Sequence, residues 1–299
     1  MNWTGVFPAI TTKFHEDESI DYASFEKNLQ FQIESGIHGV ILGGSLGETS
    51  TLGFEEKLDL LKFTIKSVNN KIPVILNIAE QRTADAVKMA REGEKLGANG
   101  FMLLPPMRYF ADSHETVEFF SAVAKNTDLP IMIYNNPVDY KIHVTLEMFE
   151  TLSKYPNINA VKESTRDTTN ITRMINHFGD RFSILCGVDT IAVESLVMGA
   201  NGWVAGLVDA FPRETVVIYE LVKANRIQEA IEIFRWFLPL LELDIFPKLV
   251  QYIKLAETKA GVGTEFVRAP RLRIEGEERK RIENIIDKAL AVRPTLPKI

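Results

Sequence analysis

The chain has 299 residues, 45% hydrophobic and 25% charged, the balance of a globular protein with a large core. Its 34 basic and 40 acidic residues are mixed along the sequence for a net charge of −6, so no basic stripe invites nucleic acid. The single cysteine, Cys186, excludes an internal disulfide framework and suits a reducing cytoplasm, and no apolar run reaches the roughly 18 residues of a membrane span. The opening Met1-Asn-Trp-Thr lacks the charged and apolar regions of a secretory signal, so a cytoplasmic location is expected.

In chain order, strand-like and helix-like segments alternate. Residues 6–10 read as a strand and 21–35 as a helix with Phe25, Leu29 and Ile33 on one face. A strand at 40–42 precedes a helix at 54–68, a strand at 74–76 a helix at 83–96, and a strand at 101–104 a helix at 113–125. Two short apolar runs follow, Pro130-Ile-Met-Ile-Tyr134-Asn-Asn-Pro137 and Ile158-Asn-Ala-Val-Lys162-Glu-Ser-Thr165, separated by a helix around 146–153. Bounded by breakers, they read as buried strands of a parallel sheet. Strands at 182–185 and 203–205 bring the count to eight.

A faint internal repeat supports that count. Ser35-Gly-Ile-His-Gly39, Leu96-Gly-Ala-Asn-Gly100 and Met198-Gly-Ala-Asn-Gly202 each end a helix and lead into an apolar run. Glycine there suits the left-handed cap that redirects the chain into a strand. Repetition of one βα unit predicts an α/β protein, a (β/α)8 barrel. From Pro212 onward the pattern is wholly helical, at 214–224, 227–241, 246–260 and 276–290, more than the one helix needed to finish the barrel. The expected organisation is a barrel over residues 1–224 and a helical C-terminal extension over 225–299 packed on it.

Chemistry in such a barrel sits at the carboxyl ends of the strands. Lys162 ends one apolar run and Tyr134 the preceding one. Burial disfavours the ammonium form, lowers a lysine pKa and frees the amine to attack a carbonyl carbon. A tyrosine at the equivalent end of the neighbouring strand lies within proton-transfer reach, the pairing a Schiff-base enzyme needs. The bland reading is a lysine that snorkels out of the strand end. After the second strand, Gly43-Gly-Ser45-Leu-Gly47-Glu-Thr-Ser-Thr51 is rich in small residues, which lets backbone N–H groups converge on an anion such as a carboxylate. The same stretch matches the G-x-S-x-G elbow of hydrolases with Ser45 as nucleophile, although an elbow turns straight into a helix and this loop runs on to about Gly53. The five histidines are scattered with no metal-ligand spacing. Asp189 follows a strand and suits either a substrate hydroxyl or a helix cap.

Several marks occur in order: Gly44-Ser-Leu-Gly-Glu-Thr-Ser-Thr-Leu52, Tyr134-Asn-Asn-Pro137, Val161-Lys-Glu-Ser164, Gly187-Val-Asp189 and Gly199-Ala-Asn-Gly202. On them the chain resembles the dihydrodipicolinate synthase/N-acetylneuraminate lyase family over essentially its whole length. The resemblance implies a TIM barrel whose Lys162 forms an imine with a small 2-oxo acid such as pyruvate. It further implies that Tyr134 relays protons with Ser45, and that the loop at Gly44, with the backbone of Ser45 and Leu46, holds the substrate carboxylate. No metal and no diffusible cofactor is implied, because a protonated imine is itself the electron sink.

The departures from the family pattern point to substrate choice. The synthases carry an arginine where this chain has Asp139, two adjacent threonines where it has Ser45-Leu46, and a tyrosine pair where it has Met107-Arg108. Sialic acid lyases place an acidic residue and a serine where this chain has Thr190 and Gly206. With Asp189 and Gly206 as further substrate contacts, the expectation is a dehydratase or deaminase, for example one acting on pyrroline-4-hydroxy-2-carboxylate, or an aldolase. The alternatives are 4-hydroxy-tetrahydrodipicolinate synthase proper and a non-catalytic ligand-binding barrel. Relatives of this fold form tetramers as dimers of dimers, and the run Trp236-Phe-Leu-Pro-Leu-Leu241 is a candidate interface, so a homotetramer is expected.

Overall fold

The computed structural model describes residues 1–298. Eight parallel strands form one sheet: β1 Gly5–Pro8, β2 Val40–Leu42, β3 Val74–Ile78, β4 Gly100–Leu103, β5 Ile131–Asn135, β6 Ile158–Glu163, β7 Ser183–Cys186 and β8 Gly202–Ala205. From β2 to β8 each strand pairs with its sequence neighbours, and β1 pairs in parallel with β8. The bridge between Ala9 and Ile41 joins the end of β1 to β2 and closes the barrel. The fold is the (β/α)8 TIM barrel.

Helices fill the crossovers: α1 Tyr22–Glu34, α2 Phe54–Val68, α3 Thr83–Leu96, α4 Ser113–Ala124, the short α5 Pro137–Tyr140, α6 Leu146–Leu152, α7 Thr169–Phe178, α8 Ala192–Val197 and α9 Pro212–Lys223. Local chemistry sets where they begin. The Asp21 side chain caps α1 by accepting from the Ser24 N–H at 2.9 Å, and Asp112 caps α4 by accepting from the Glu115 N–H at 2.8 Å. Strand residues alternate between two apolar layers. On β5, Ile131 and Ile133 face the helices, while Met132 and Tyr134 face the barrel interior with Phe7, Ile75, Met102 and Leu185. A strand buried on both faces needs the continuous apolar composition that made these runs legible.

The repeated motif performs one mechanical job three times. Its first glycine takes a positive φ in each copy: +90° at Gly36, +96° at Gly97 and +111° at Gly199. Two residues later, a side chain accepts an N–H from the first or second residue of a neighbouring strand. Asn99 does so for Val74 (2.8 Å), Asn201 for Ile184 (2.8 Å) and the His38 imidazole Nδ1 for Val6 (3.1 Å).

Three helices follow the barrel: α10 Ile227–Leu241, α11 Leu249–Ala260 and α12 Gly276–Ala291. The run at 236–241, a candidate subunit interface by sequence, is largely spent inside the chain. Phe237, Leu240 and Leu241 are buried, the Trp236 and Phe237 rings stack 5.3 Å apart, and the Trp236 indole N–H donates to the Ala289 carbonyl at 2.9 Å. The run is apolar because it must cover α9 and α12. Between α10 and α11 a single tight turn, Glu242–Ile245, reaches the mouth of the barrel. No helix among the described residues is long and apolar enough to cross a membrane.

Candidate active site

At the carboxyl ends of the strands lies a cavity of about 70 Å³ lined by Gly44, Ser45, Leu46, Tyr134, Asn136, Tyr140, Lys162, Ser164, Gly187, Gly206 and Asp244, among others. One water needs roughly 10–15 Å³ on this scale, so the space holds a handful of non-hydrogen atoms. It opens into a wider vestibule of about 670 Å³ bordered by Gln81, Met107, Arg108, Arg166 and Arg271.

Lys162 and Tyr134 enter this cavity from adjacent strands whose register pairs their Cα atoms. Both are almost fully buried, Lys162 at 7% and Tyr134 at 6% exposure. The lysine Nζ lies 4.1 Å from the centroid of the tyrosine ring. Burial drives the Lys162 pKa down, opposed by the negative charge that Tyr140, Asp244 and Asp189 can supply. Burial also pushes the Tyr134 phenol up to about 12, against a hydrogen bond from Asn136. Tyr134 is therefore a protonated phenol at neutral pH beside an amine inclined to be neutral. Gly187 leaves room for the lysine stem, since a Cβ there would fall 2.6 Å from Lys162 Cε and 2.2 Å from Ser164 Oγ.

The loop after β2 supplies the opposite wall. The Glu48 and Thr49 N–H groups turn back on the Ser45 and Gly44 carbonyls, and Thr12 donates to the Gly47 carbonyl at 2.7 Å. The N–H groups of Ser45 and Leu46 find no acceptor among the described residues, and both residues line the cavity. Two free N–H groups beside a lysine are what a 2-oxo acid carboxylate needs. Glu48 anchors this loop from behind. It is wholly buried, accepts from Lys254 Nζ at 2.5 Å and from the Arg268 N–H at 3.1 Å, and so ties the loop to α11 and the segment after it.

The hydrolase elbow finds no support in this geometry. The Ser45 loop passes through a short turn at Thr49–Thr51 before α2 begins at Phe54, and no histidine among the described residues lines the cavity. The partner of Ser45 Oγ is the Tyr140 hydroxyl. Tyr140 also packs edge-on against Tyr134, with ring centroids 5.4 Å apart, while the Tyr134 hydroxyl itself accepts from Asn136. The sequence reading did not single out Tyr140. One turn of α5, started by Pro137 and capped by Asn136, returns its ring over the cavity.

Of the other expected contacts, Gly44 and Gly206 border the cavity, whereas Asp189 does not. The Asp189 carboxylate is wholly buried and accepts from the Trp203 indole at 2.8 Å and from the N–H groups of Gly206 and Leu207, the latter at 2.8 Å. It holds the end of β8 in place. Asp139 lies at the rim, where Asn136 Nδ2 donates to it at 2.7 Å and to the Tyr134 hydroxyl at 3.1 Å. Asp244, from the turn after α10, is a cavity residue that sequence patterning did not reveal.

Comparison with known proteins agrees with this geometry. The family model described as the dihydrodipicolinate synthetase family matches residues 2–289. The chain is 33% identical over 221 residues to the 4-hydroxy-tetrahydrodipicolinate synthase of Exiguobacterium sibiricum, covering 74% of this chain and 75% of that one. To the protein of the same name from Methanosphaerula palustris it is 27% identical over 285 residues, 94% of this chain and 98% of that one. Among solved structures, the 4-hydroxy-tetrahydrodipicolinate synthase of Methylacidiphilum fumariolicum SolV superposes with a TM-score of 0.92 at 27% identity, covering 97% and 98% of the two chains. The dihydrodipicolinate synthase of Aquifex aeolicus superposes with a TM-score of 0.91 at 25% identity over 96% and 98%. With its cavity-facing lysine at the end of β6, this chain is a lyase and belongs to the dihydrodipicolinate synthetase family.

Proposed function

We propose that the protein forms an imine between Lys162 and a small 2-oxo acid and uses it to expel a hydroxyl or amino substituent, as a dehydratase or deaminase. The observation that carries the imine is the buried Lys162 amine, facing a cavity that also holds a tyrosine and two free N–H groups. In this reading the Ser45 and Leu46 N–H groups, with Gly44 behind them, hold the carboxylate, and the 2-oxo carbon lies within reach of Lys162 Nζ. Attack makes the carbinolamine, and loss of water with proton supply from Tyr134 gives the protonated imine, which draws electrons from the neighbouring carbon. Tyr134 recovers its proton through a neighbouring hydroxyl, for which Tyr140, edge-on to its ring and hydrogen-bonded to Ser45, is the candidate. A purely binding barrel has no use for an amine whose burial costs free energy.

The wall beyond the lysine supports elimination over condensation. Asp139 and Asp244 both line the cavity, and Arg166, 4.0 Å from Asp139, is partly engaged by it, so the place where a condensing synthase grips a second carboxylate carries two acids to one guanidinium in this chain. A second reading, 4-hydroxy-tetrahydrodipicolinate synthase, is favoured by the names of the relatives, and an aldolase uses the same imine. Turnover of a panel of hydroxylated 2-oxo acids and hydroxylated pyrroline carboxylates, set beside pyruvate with aspartate semialdehyde, separates them. Elimination is expected, and condensation with kcat/KM above about 10⁴ M⁻¹s⁻¹ would reverse the order. We also propose a cytoplasmic homotetramer. The exposed Tyr109 and Phe110, beside the vestibule, are apolar surface that such an assembly would cover.

A further inference from the structure

Asp244 comes from neither a barrel strand nor a strand-end loop, but from the turn between α10 and α11. It borders both the inner cavity, with Lys162, Tyr134 and Gly206, and the vestibule. Its carboxylate lies against the end of β8, where a Cβ on residue 206 would fall 2.4 Å from Oδ1 and 3.0 Å from Cγ. Glycine at 206 is what lets the acid in. The charged groups that bear on it are Lys162 on β6, Asp189 after β7, Asp139 on α5 and Asp209 after β8. No hydrogen bond from the described residues holds its carboxylate, unlike those of Asp189 and Asp139.

The Asp244 side chain is only partly covered and takes no donor from the chain, so it faces the cavity as an open acceptor that a ligand's donor can fill. A second carboxylate on the substrate would meet Asp139 and Asp244 with only the Arg166 guanidinium, itself 4.0 Å from Asp139, to offset them, whereas a hydroxyl finds an acceptor in Asp244. We propose that Asp244 recognises a hydroxyl on the distal carbons of the imine-bound 2-oxo acid and, when that hydroxyl leaves, carries the proton it needs. This deepens the imine reading at Lys162 and rests on it.

The proton balance closes on this one group. The Asp244 carboxylate takes a proton from the carbon next to the imine carbon, and the C–H electrons form the enamine. The enamine then pushes out the hydroxyl on the following carbon. That C–O bond breaks as a carbon–carbon double bond forms, and the Asp244 proton leaves with the oxygen as water. Burial and Asp189 push Asp244 well above the usual carboxylate range while a positive charge at Lys162 pulls it back. Conversion of the cationic imine to the neutral enamine removes that pull at the step where Asp244 must hold a proton.

The test is borohydride trapping of the wild type, Asp244→Ala and Asp244→Asn with 4-hydroxy-2-oxopentanoate, 2-oxopentanoate and 2-oxoglutarate. The readout is the ratio of half-saturating concentrations, which a general loss of activity does not mimic. The wild type is expected to favour the hydroxylated over the unsubstituted acid by roughly tenfold, the effect of one hydrogen bond to a charged group, and to discriminate against 2-oxoglutarate. Alanine should bring the hydroxyl preference close to one. Asparagine keeps a hydrogen-bonding group without the charge, so it should admit 2-oxoglutarate several-fold better and slow release of the unsaturated product by about 10²–10⁴. Equal ratios in the wild type and the alanine variant overturn the role of Asp244 and leave the imine intact. A wild type labelled by none of the three acids removes the imine reading itself, and this assignment with it.

Discussion

Lys162 and Tyr134 are cross-strand neighbours on β6 and β5, with the lysine amine 4.1 Å from the centre of the tyrosine ring. The ring face favours a cation by about 0.5–2 kcal/mol, yet desolvation is the larger influence and it drives the Lys162 pKa down. Because attack needs the neutral amine, imine formation should rise with pH and level off below 10.5, the ordinary lysine value. Stopped-flow measurement of pyruvate imine formation against pH checks this. A rate that keeps climbing through pH 10.5 would mean the amine is not desolvated.

Tyr134→Phe keeps the ring and its packing and deletes one hydroxyl. Asn136 retains its bond to Asp139 at 2.7 Å, so the local frame survives. A general acid–base group contributes roughly 10²–10⁴, and turnover should fall by that factor. Trapping at Lys162 should slow but persist. Turnover within threefold of wild type would remove Tyr134 from the proton path.

Gly187→Ala separates room from charge. The added methyl would fall 2.6 Å from both Cγ and Cε of Lys162, while the backbone of residue 187 is not in the left-handed region. The clash with the Lys162 stem and the buried Ser164 Oγ should cost about 1–3 kcal/mol, and pyruvate trapping should drop at least tenfold, because the lysine stem must leave its position. Wild-type trapping in a folded variant would show that the stem has slack.

The Glu48–Lys254 pair predicts a stability effect with a definite pH sense. Glu48→Gln leaves a buried ammonium without its carboxylate, a change that costs about 3–5 kcal/mol in a buried pair. Burial already lowers Lys254 to about 8 from 10.5, so the folded state releases that proton more readily than the unfolded state. Stability tied to Lys254 therefore rises as pH climbs from about 8 toward 10.5, while the penalty of Glu48→Gln should shrink as pH rises through about 8, where the folded wild type gives up the proton that Glu48 holds. Denaturant unfolding at pH 7 and pH 9.5 checks both size and sense; a penalty equal at the two pH values would contradict it.

The barrel was legible because strands buried on both faces must be short, apolar and bounded by breakers. Lys162 and Tyr134 stood out as polar groups ending such runs. The sequence reading did not locate α7, whose start at Thr169-Asn-Ile-Thr is polar, or α8, with six residues. Asp244 was hidden for a different reason. Leu-Glu-Leu-Asp-Ile at 241–245 looks like the tail of an amphipathic helix, and only the packing of α10 and α11 brings it to the mouth of the barrel. The apolar run at 236–241 packs on Phe211 and Ala289, a tertiary contact that its sequence does not reveal. Asp189 shows the converse, a polar residue at a strand end whose partners are indole and backbone.

In the proposed reaction Lys162 carries the substrate covalently. Wild type and Lys162→Ala are incubated with pyruvate, reduced with borohydride, digested and mapped by mass spectrometry. One reduced pyruvyl adduct is expected on the peptide holding Lys162, and no adduct in the folded alanine variant. An adduct that persists undiminished in Lys162→Ala, or that maps to another lysine, would contradict it.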